Sequence, residues 1–244
     1  MLVIRDLEKI YQGTTKGISG VSLHVEKGDI YAFIGHNGAG KTTLLKAITG
    51  IHPYDKGEVV IDGIDLQKDP IEVKRRIAYV PDNPDIYDFM TGIQYLNFIA
   101  DVFGVPAKER EARIADYAER FEITSSLGDL ISSYSHGMKQ KLVLISALLH
   151  EPKLLIMDEP FVGLDPKAAF LLKEIMKELT ERGGAIFFST HVLEVAEKLC
   201  NKVAIIKEGR LVTSGLMSEV VSDKTSLEAI FMETVDQTTA SAKE

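Results

Sequence analysis

The stretch IYAFIGHNGAGKTTLLKAITG, residues 30 to 50, limits what this chain can fold into more than any other part of it. Ile30 to Ile34 is an unbroken apolar and aromatic run that reads as a buried strand. A loop containing Gly35, Gly38 and Gly40 follows. From Lys41 to Thr49 the apolar residues Leu44, Leu45, Ala47 and Ile48 recur at helical spacing, and Gly50 is placed to end that helix in a left-handed turn. Strand, glycine loop and helix in that order let backbone N–H groups converge on one point, where the helix adds its positive end, so the loop is shaped to hold an anion.

Gly35, Gly40, Lys41 and Thr42 satisfy G-x-x-x-x-G-K-[ST], and the flanking strand and helix supply the context that this phosphate-binding pattern requires. Backbone N–H groups from about Asn37 through Gly38, Ala39, Gly40, Lys41 and Thr42 to Thr43 would cradle the phosphates. Lys41 would reach their outer oxygens as a point charge, and the Thr42 hydroxyl would ligate Mg²⁺. His36 lies inside the loop and is expected to contribute its backbone. A phosphate-bound magnesium ion needs a second protein oxygen, and LLIMDE offers Asp158 at the tip of an apolar strand. Successive strand residues point to opposite sides, so Glu159 is expected to turn toward the γ-phosphate and polarise an attacking water.

Short β-type runs at Leu2 to Ile4, Val21 to Val25 and Val59 to Ile61 make the first sixty residues strand-rich. Bulky apolar strands then disappear. Helical patterns at about 92 to 103 and 107 to 121, parted by GVPAKE, mark a helical insertion within about 83 to 140. Beyond it MKQKLVLISALLH reads as helix and LLIMD as strand. PKAAFLLKEIMKELTERGG is a helix that starts at proline and ends at glycine, and AIFFS is a further strand, an alternation that implies a parallel sheet. KVAIIKEGRLVTSG holds two β-type runs around a turn, SLEAIFMETV reads as a short final helix and DQTTASAKE as a frayed tail. One domain over 1–230 with the helical subdomain inserted in it, then a helix end and flexible tail over 231–244, accounts for the whole chain.

A net charge of -8 argues against a protein that coats nucleic acid, and none is expected as a partner. The single cysteine, Cys200, provides neither a disulfide framework nor a metal cluster and suits a reducing compartment. The first residues lack the basic, apolar, small-residue pattern of a leader peptide, so none is expected, and the longest apolar stretch, Leu142 to Leu149 with Ser146 inside it, is far short of the roughly 20 residues of a membrane span.

YSHGMKQ, LLIMDEP, GLDP and STH follow the phosphate loop in that order, and with them the chain resembles the nucleotide-binding subunit of an ATP-binding cassette (ABC) transporter over essentially all of residues 1 to 230. The resemblance implies an α/β fold: a P-loop NTPase, RecA-like parallel-sheet core with an N-terminal antiparallel β subdomain and a helical subdomain. It implies ATP and Mg²⁺ as ligands, and hydrolysis of ATP assisted by Glu159, Lys41 and His191, the last matching the family's switch histidine. Tyr11 occupies the position where the family stacks an aromatic ring on adenine; an ordinary half-buried strand tyrosine is the competing reading. Family members pair, so that Ser135, His136 and Gly137 of one cassette close on ATP held by a second ATPase subunit, in a homodimer or heterodimer, and Asp165 crosses the same interface. A separate integral membrane subunit is the other implied partner, which would hold this cytoplasmic chain peripherally on the inner face of the cell membrane.

Two positions depart from the family's usual pattern. Tyr134 to Met138 stands where L-S-G-G-Q is common, keeping the serine and second glycine but placing His136 between them. Asp82, in IAYVPDNP, replaces the usual magnesium-contacting glutamine and adds negative charge near Glu159 and the phosphates. These departures look most like the ATPase subunits of ABC-2-type exporters, the Ecs-type group in particular. Ile86, Tyr87, Phe89, Met90 and Tyr95 are either the lining of a groove for a membrane-subunit helix or a cap on the helical subdomain's own core. A soluble cassette ATPase acting on ribosomes or DNA is the alternative function. Those usually carry two cassettes or a long coiled-coil or zinc insertion, of which this chain has neither. A GTPase is disfavoured because NKVA at 201 lacks the aspartate of a guanine-reading motif.

Overall fold

A computed structural model describes residues 1–11, 13, 17–221 and 226–233. The tail expected at DQTTASAKE lies outside the described residues. Strands β1 (Leu2–Ile10) and β2 (Gly17–Val25) precede β3 (Ile30–Ile34) and helix α1 (Lys41–Ile48). Next come β4 (Lys56–Ile61), β5 (Ile64–Asp65), α2 (Pro70–Arg76) and β6 (Ile77–Val80). Helices α3 (Gly92–Val102), α4 (Ala107–Arg120) and α5 (His136–Leu148) lead into β7 (Leu154–Asp158), α6 (Pro166–Glu181), β8 (Ala185–Thr190) and α7 (Leu193–Leu199). The antiparallel pair β9 (Lys202–Lys207) and β10 (Arg210–Leu216) and the single turn α8 (Met217–Val220) follow, and residues 227 to 233 are helical.

The strands form two sheets. One is antiparallel, in the order β2-β1-β4-β5, and the other runs β10-β9-β3-β8-β7-β6 with parallel pairing from β9 through to β6. Period-two alternation sorts the buried side chains of the second sheet. Ile30, Ala32, Ile34, Ile186 and Phe188 pack into a core with α3 to α7, while Tyr31, Phe33 and Phe187 pack with α1 and the antiparallel sheet. Both faces are therefore covered, and functional groups collect at the carboxyl edge of the parallel strands.

Helix starts follow from sequence chemistry. Asp165 caps α6 by accepting from the Ala168 N–H at 2.8 Å, with Pro166 next, and Thr91 and Gln94 form a reciprocal capping box on α3. Gly50, at φ 67°, ends α1 in the left-handed turn expected of it. Strands β1 and β2, each of nine residues, run beyond their apolar stretches, because charged residues interrupt β1 and glycines and serines interrupt β2. Elements β5, α2 and β6 carry no comparable sequence signal. The charge-rich α2 buries only Val73, and β6 is a four-residue strand at the sheet's edge, so neither carries a strong period. Cys200 is buried just past α7, and burial pushes its thiol up, which leaves it a packing residue. No helix among the described residues is long and apolar enough to cross a membrane.

Candidate functional site

Three adjacent parallel strands, β3, β8 and β7, deliver the site. From β3 the chain enters the glycine loop, where Gly38 (φ 81°) and Gly40 (φ 110°) take conformations that L side chains resist. Gly35 is fixed by space, since a Cβ there would stand 2.8 Å from the Ile206 side chain and carbonyl oxygen. Gly40 caps α1 without any side-chain hydrogen bond, and no acidic residue occupies the first turn, so the helix keeps its N-terminal N–H groups for an anion.

Lys41 is nearly buried, at 7% exposure, and its Nζ donates to the Gly35 carbonyl oxygen at 2.7 Å. The same Nζ lies 3.3 Å from Glu159 Oε1. On its other oxygen Glu159 meets His191 Nδ1 at 2.9 Å and accepts from the His191 backbone N–H at 3.2 Å. Glu159 thus spans the gap between the phosphate loop and the end of β8. Asp158, 1% exposed, accepts from the Thr42 hydroxyl at 2.6 Å and from the Ser189 hydroxyl. Ser189 in turn accepts from the Glu159 N–H at 3.0 Å.

Asp158 and Glu159 reach one pocket, but not by strand alternation. The strand stops at Asp158, and Glu159 adopts φ 48°, so a left-handed backbone kink aims its carboxylate toward Lys41. A non-glycine residue held in that region is a strain that the surrounding bonds must sustain. Ser189 was missed as a partner, although its register opposite Asp158 is what lets one hydroxyl serve both carboxylate-bearing residues. The signal was available as the last serine of AIFFS.

Tyr11, Gly17, His36, Asn37, Gly38, Gly40, Lys41, Thr42, Thr43, Asp82, Asp158 and Glu159 line a cavity of about 300 Å³. Tyr11 stands at its mouth, exposed, with its hydroxyl 3.2 Å from His52 Nδ1 and the rings edge to face. His36 contributes its carbonyl, which accepts from the Ala39 N–H at 3.1 Å. Ala39 itself is fully buried behind the loop. Crowding by the pocket wall, then the charges of Asp158 and Glu159, push the Asp82 carboxyl above the ordinary carboxylate range; His136 and His191 oppose that push.

The pocket gathers three carboxylates beside one lysine, but among the described residues no three acidic or histidine side chains converge as a complete metal site, so a divalent cation there would also need the Thr42 hydroxyl and phosphate oxygens. Thr42 donates its proton to Asp158 and so keeps lone pairs free for such an ion. Because Asp82 is raised in the folded chain, its ionisation costs the magnesium- and nucleotide-free protein stability as the pH climbs through that raised value. Asp82→Asn is expected to raise Tm at pH 7 to 8, the gain shrinking as pH falls through the raised value and gone below the ordinary carboxyl value of 3.8. Melting curves across pH check this, and a pH-independent difference would contradict it.

Ser135, His136 and Gly137 lie away from this pocket's lining, at the start of α5. Ser135 caps the helix by accepting from the Met138 N–H at 3.3 Å, and the first turn is free of acidic residues. Asp165 pairs with Lys141 Nζ at 2.7 Å, and this ion pair with the Ala168 N–H holds its carboxyl below the usual range.

A glycine loop opening a helix, a strand-end carboxylate bonded to the loop's threonine and a parallel sheet between them define a P-loop nucleoside triphosphatase. Comparison with known proteins narrows this. The family model described as ABC transporter matches residues 18–162. The linearmycin resistance ATP-binding protein LnrL of Bacillus subtilis is 33% identical over 222 residues, 91% of this chain and 71% of that one. The ABC-type transporter ATP-binding protein EcsA of the same organism is 33% identical over 220 residues, covering 90% and 89%. A solved structure of an ATP-binding subunit of an ABC transporter superposes with TM-score 0.90 at 34% identity, over 96% of this chain and 98% of that one. The chain belongs to the ABC transporter family, as an ATP-binding subunit that hydrolyses ATP.

Proposed function

We propose that this chain is the motor of an exporter, drawing two ATPase subunits together around ATP and transmitting that closure to a separate membrane subunit. The observation that carries it is Glu159 bridging Lys41 and His191 at the mouth of the phosphate loop. In this reading the domain spans 1–230, with its helical subdomain over about 83–140. Residues 35–43 hold the phosphates, Tyr11 meets the adenine, and Thr42, Asp158 and Asp82 would hold Mg²⁺. The ion, when bound, would offset the negative charge of the phosphates.

Glu159 takes a proton from water as its oxygen bonds to the γ-phosphorus and the bond from that phosphorus to the bridging oxygen breaks, releasing ADP. Lys41 stabilises charge building on the phosphoryl oxygens, and His191 orients both Glu159 and the water. Ser135, His136 and Gly137 present the positive, serine-capped end of α5 to ATP on a second copy, and Asp165 crosses the same interface.

An apolar cavity of about 340 Å³ between β6, α3 and α5, lined by residues including Ile51, Ile86, Tyr95 and Phe103, supports a docking site for a helix of the membrane subunit. Of the five residues expected to line a groove, Ile86 and Tyr95 line this cavity and, with Met90, also pack on the chain's own core, whereas Tyr87 and Phe89 lie outside its lining, 49% and 78% exposed, with the Tyr87 ring against both Phe89 and Phe98. Similarity to a resistance protein supports outward transport, and Asp82, the Tyr134 to Met138 sequence and similarity to EcsA support the Ecs-type group.

If a multi-span membrane protein is encoded beside it, co-expression with that protein is expected to carry the chain into the membrane fraction. Tyr87→Ala with Phe89→Ala should cut that copurification several-fold while leaving ATP affinity unchanged. Membrane recovery that ignores both the partner and the double substitution would remove the transport reading.

A further inference from the structure

His136 stands where the family commonly has a glycine, and its ring is already engaged within its own chain. A Cβ built on Gly163 would come within 2.7 Å of His136 Cδ2 and 2.9 Å of its Nε2, so the imidazole sits where any side chain at 163 would project. Alongside, a Cβ on Gly137 would lie 3.0 Å from the Gly163 carbonyl oxygen. One helical turn further on, Lys141 pairs with Asp165. The first turns of α5 are thus joined, through His136, Gly137 and Lys141, to the loop that begins at Glu159 and ends on Asp165. That loop needs holding. Glu159 and Gly163 both have positive φ, at 48° and 82°; Pro160 is buried and Phe161 and Leu164 pack on the core, but Val162 and Gly163 between them are exposed, and it is there that the His136 ring lies.

We propose that His136 is a positioning residue for the hydrolytic loop of its own chain, its ring resting on the bare α-carbon of Gly163 and so fixing where Glu159 points. Resting on the reading of Glu159 as the base, this role is distinct from any contact His136 makes with nucleotide on a second copy. It also accounts for the pairing of a large residue at 136 with none at 163: one side chain fills the space the other leaves.

The test is a double-mutant cycle on ATP hydrolysis by the full chain, with kcat and KM for ATP measured separately. Gly163→Ala should lower kcat at least tenfold in the native background but less than threefold once His136→Gly is present, and should shift KM less than twofold within each background. Alanine at φ 82° carries the same backbone strain in both backgrounds, so the difference isolates the ring contact. Equal losses in the two backgrounds, or no loss in either, would overturn the proposal. Should Gly163→Ala fail to fold, His136→Gly and His136→Phe decide the matter. Recovery of kcat by the phenyl ring supports the proposal, and identical kcat for histidine, glycine and phenylalanine overturns it. If Glu159→Gln left hydrolysis at the native rate, the base reading itself would fall and the proposal with it, an outcome separate from a flat cycle.

Discussion

Glu159→Gln is expected to slow ATP hydrolysis about a hundredfold or more while the chain holds ATP more tightly than before. The amide is nearly the same shape, so the left-handed turn at 159 and the bond from its N–H to Ser189 persist. What disappears is the ability to take a proton from water. The tighter binding has a different cause. In the nucleotide-free chain the carboxylate of Glu159 is a near neighbour of Lys41 Nζ, at 3.3 Å, and competes with the phosphates for that charge. A neutral amide competes less. Single-turnover phosphate release and equilibrium binding of labelled ATP measure the two effects; hydrolysis near the native rate would exclude Glu159 as the base.

Lys41→Ala should weaken ATP binding by roughly 10- to 100-fold, the span of a charge-assisted contact worth about 1.5 to 3 kcal/mol. It should also destabilise the free protein. The ammonium group is almost fully enclosed and donates to the Gly35 carbonyl, so its loss leaves that acceptor without its donor and Glu159 with only its contacts to His191. Lys41→Arg is expected to fail as well, because a planar guanidinium does not fit a space made for a compact ammonium. Calorimetric titration with ATP, together with urea unfolding of the same samples, separates lost contact from lost stability. Unchanged affinity in Lys41→Ala would place the phosphates elsewhere.

The central strand, loop and helix were legible in the sequence because each rests on local chemistry: an apolar run, glycines at required positive φ, a lysine and a threonine at fixed spacing. The helical insertion was legible for the same reason, with α3 and α4 within a residue or so of their expected limits. Less visible was anything set by chain segments far apart. That Ser189 serves both Asp158 and Glu159 depends on β7 and β8 being in register, which no local pattern encodes. Glu159 was assigned the right pocket for the wrong geometric reason, since alternation along a strand does not foresee a left-handed kink at its end. Gly163 was read only as part of GLDP, because its space is defined by His136 on another helix. The aromatic stretch divided between core and surface according to packing against α3 and α5, which its composition left open.

Light scattering on Glu159→Gln, run across a concentration series with and without ATP and Mg²⁺, tests most directly whether a nucleotide is gripped between the glycine loop of one copy and the serine-capped helix of another. The prediction is a mass that doubles with ATP and magnesium, and one retained ATP per chain. Nucleotide retained at a single-chain mass at every concentration, or no nucleotide retained at all, would contradict it.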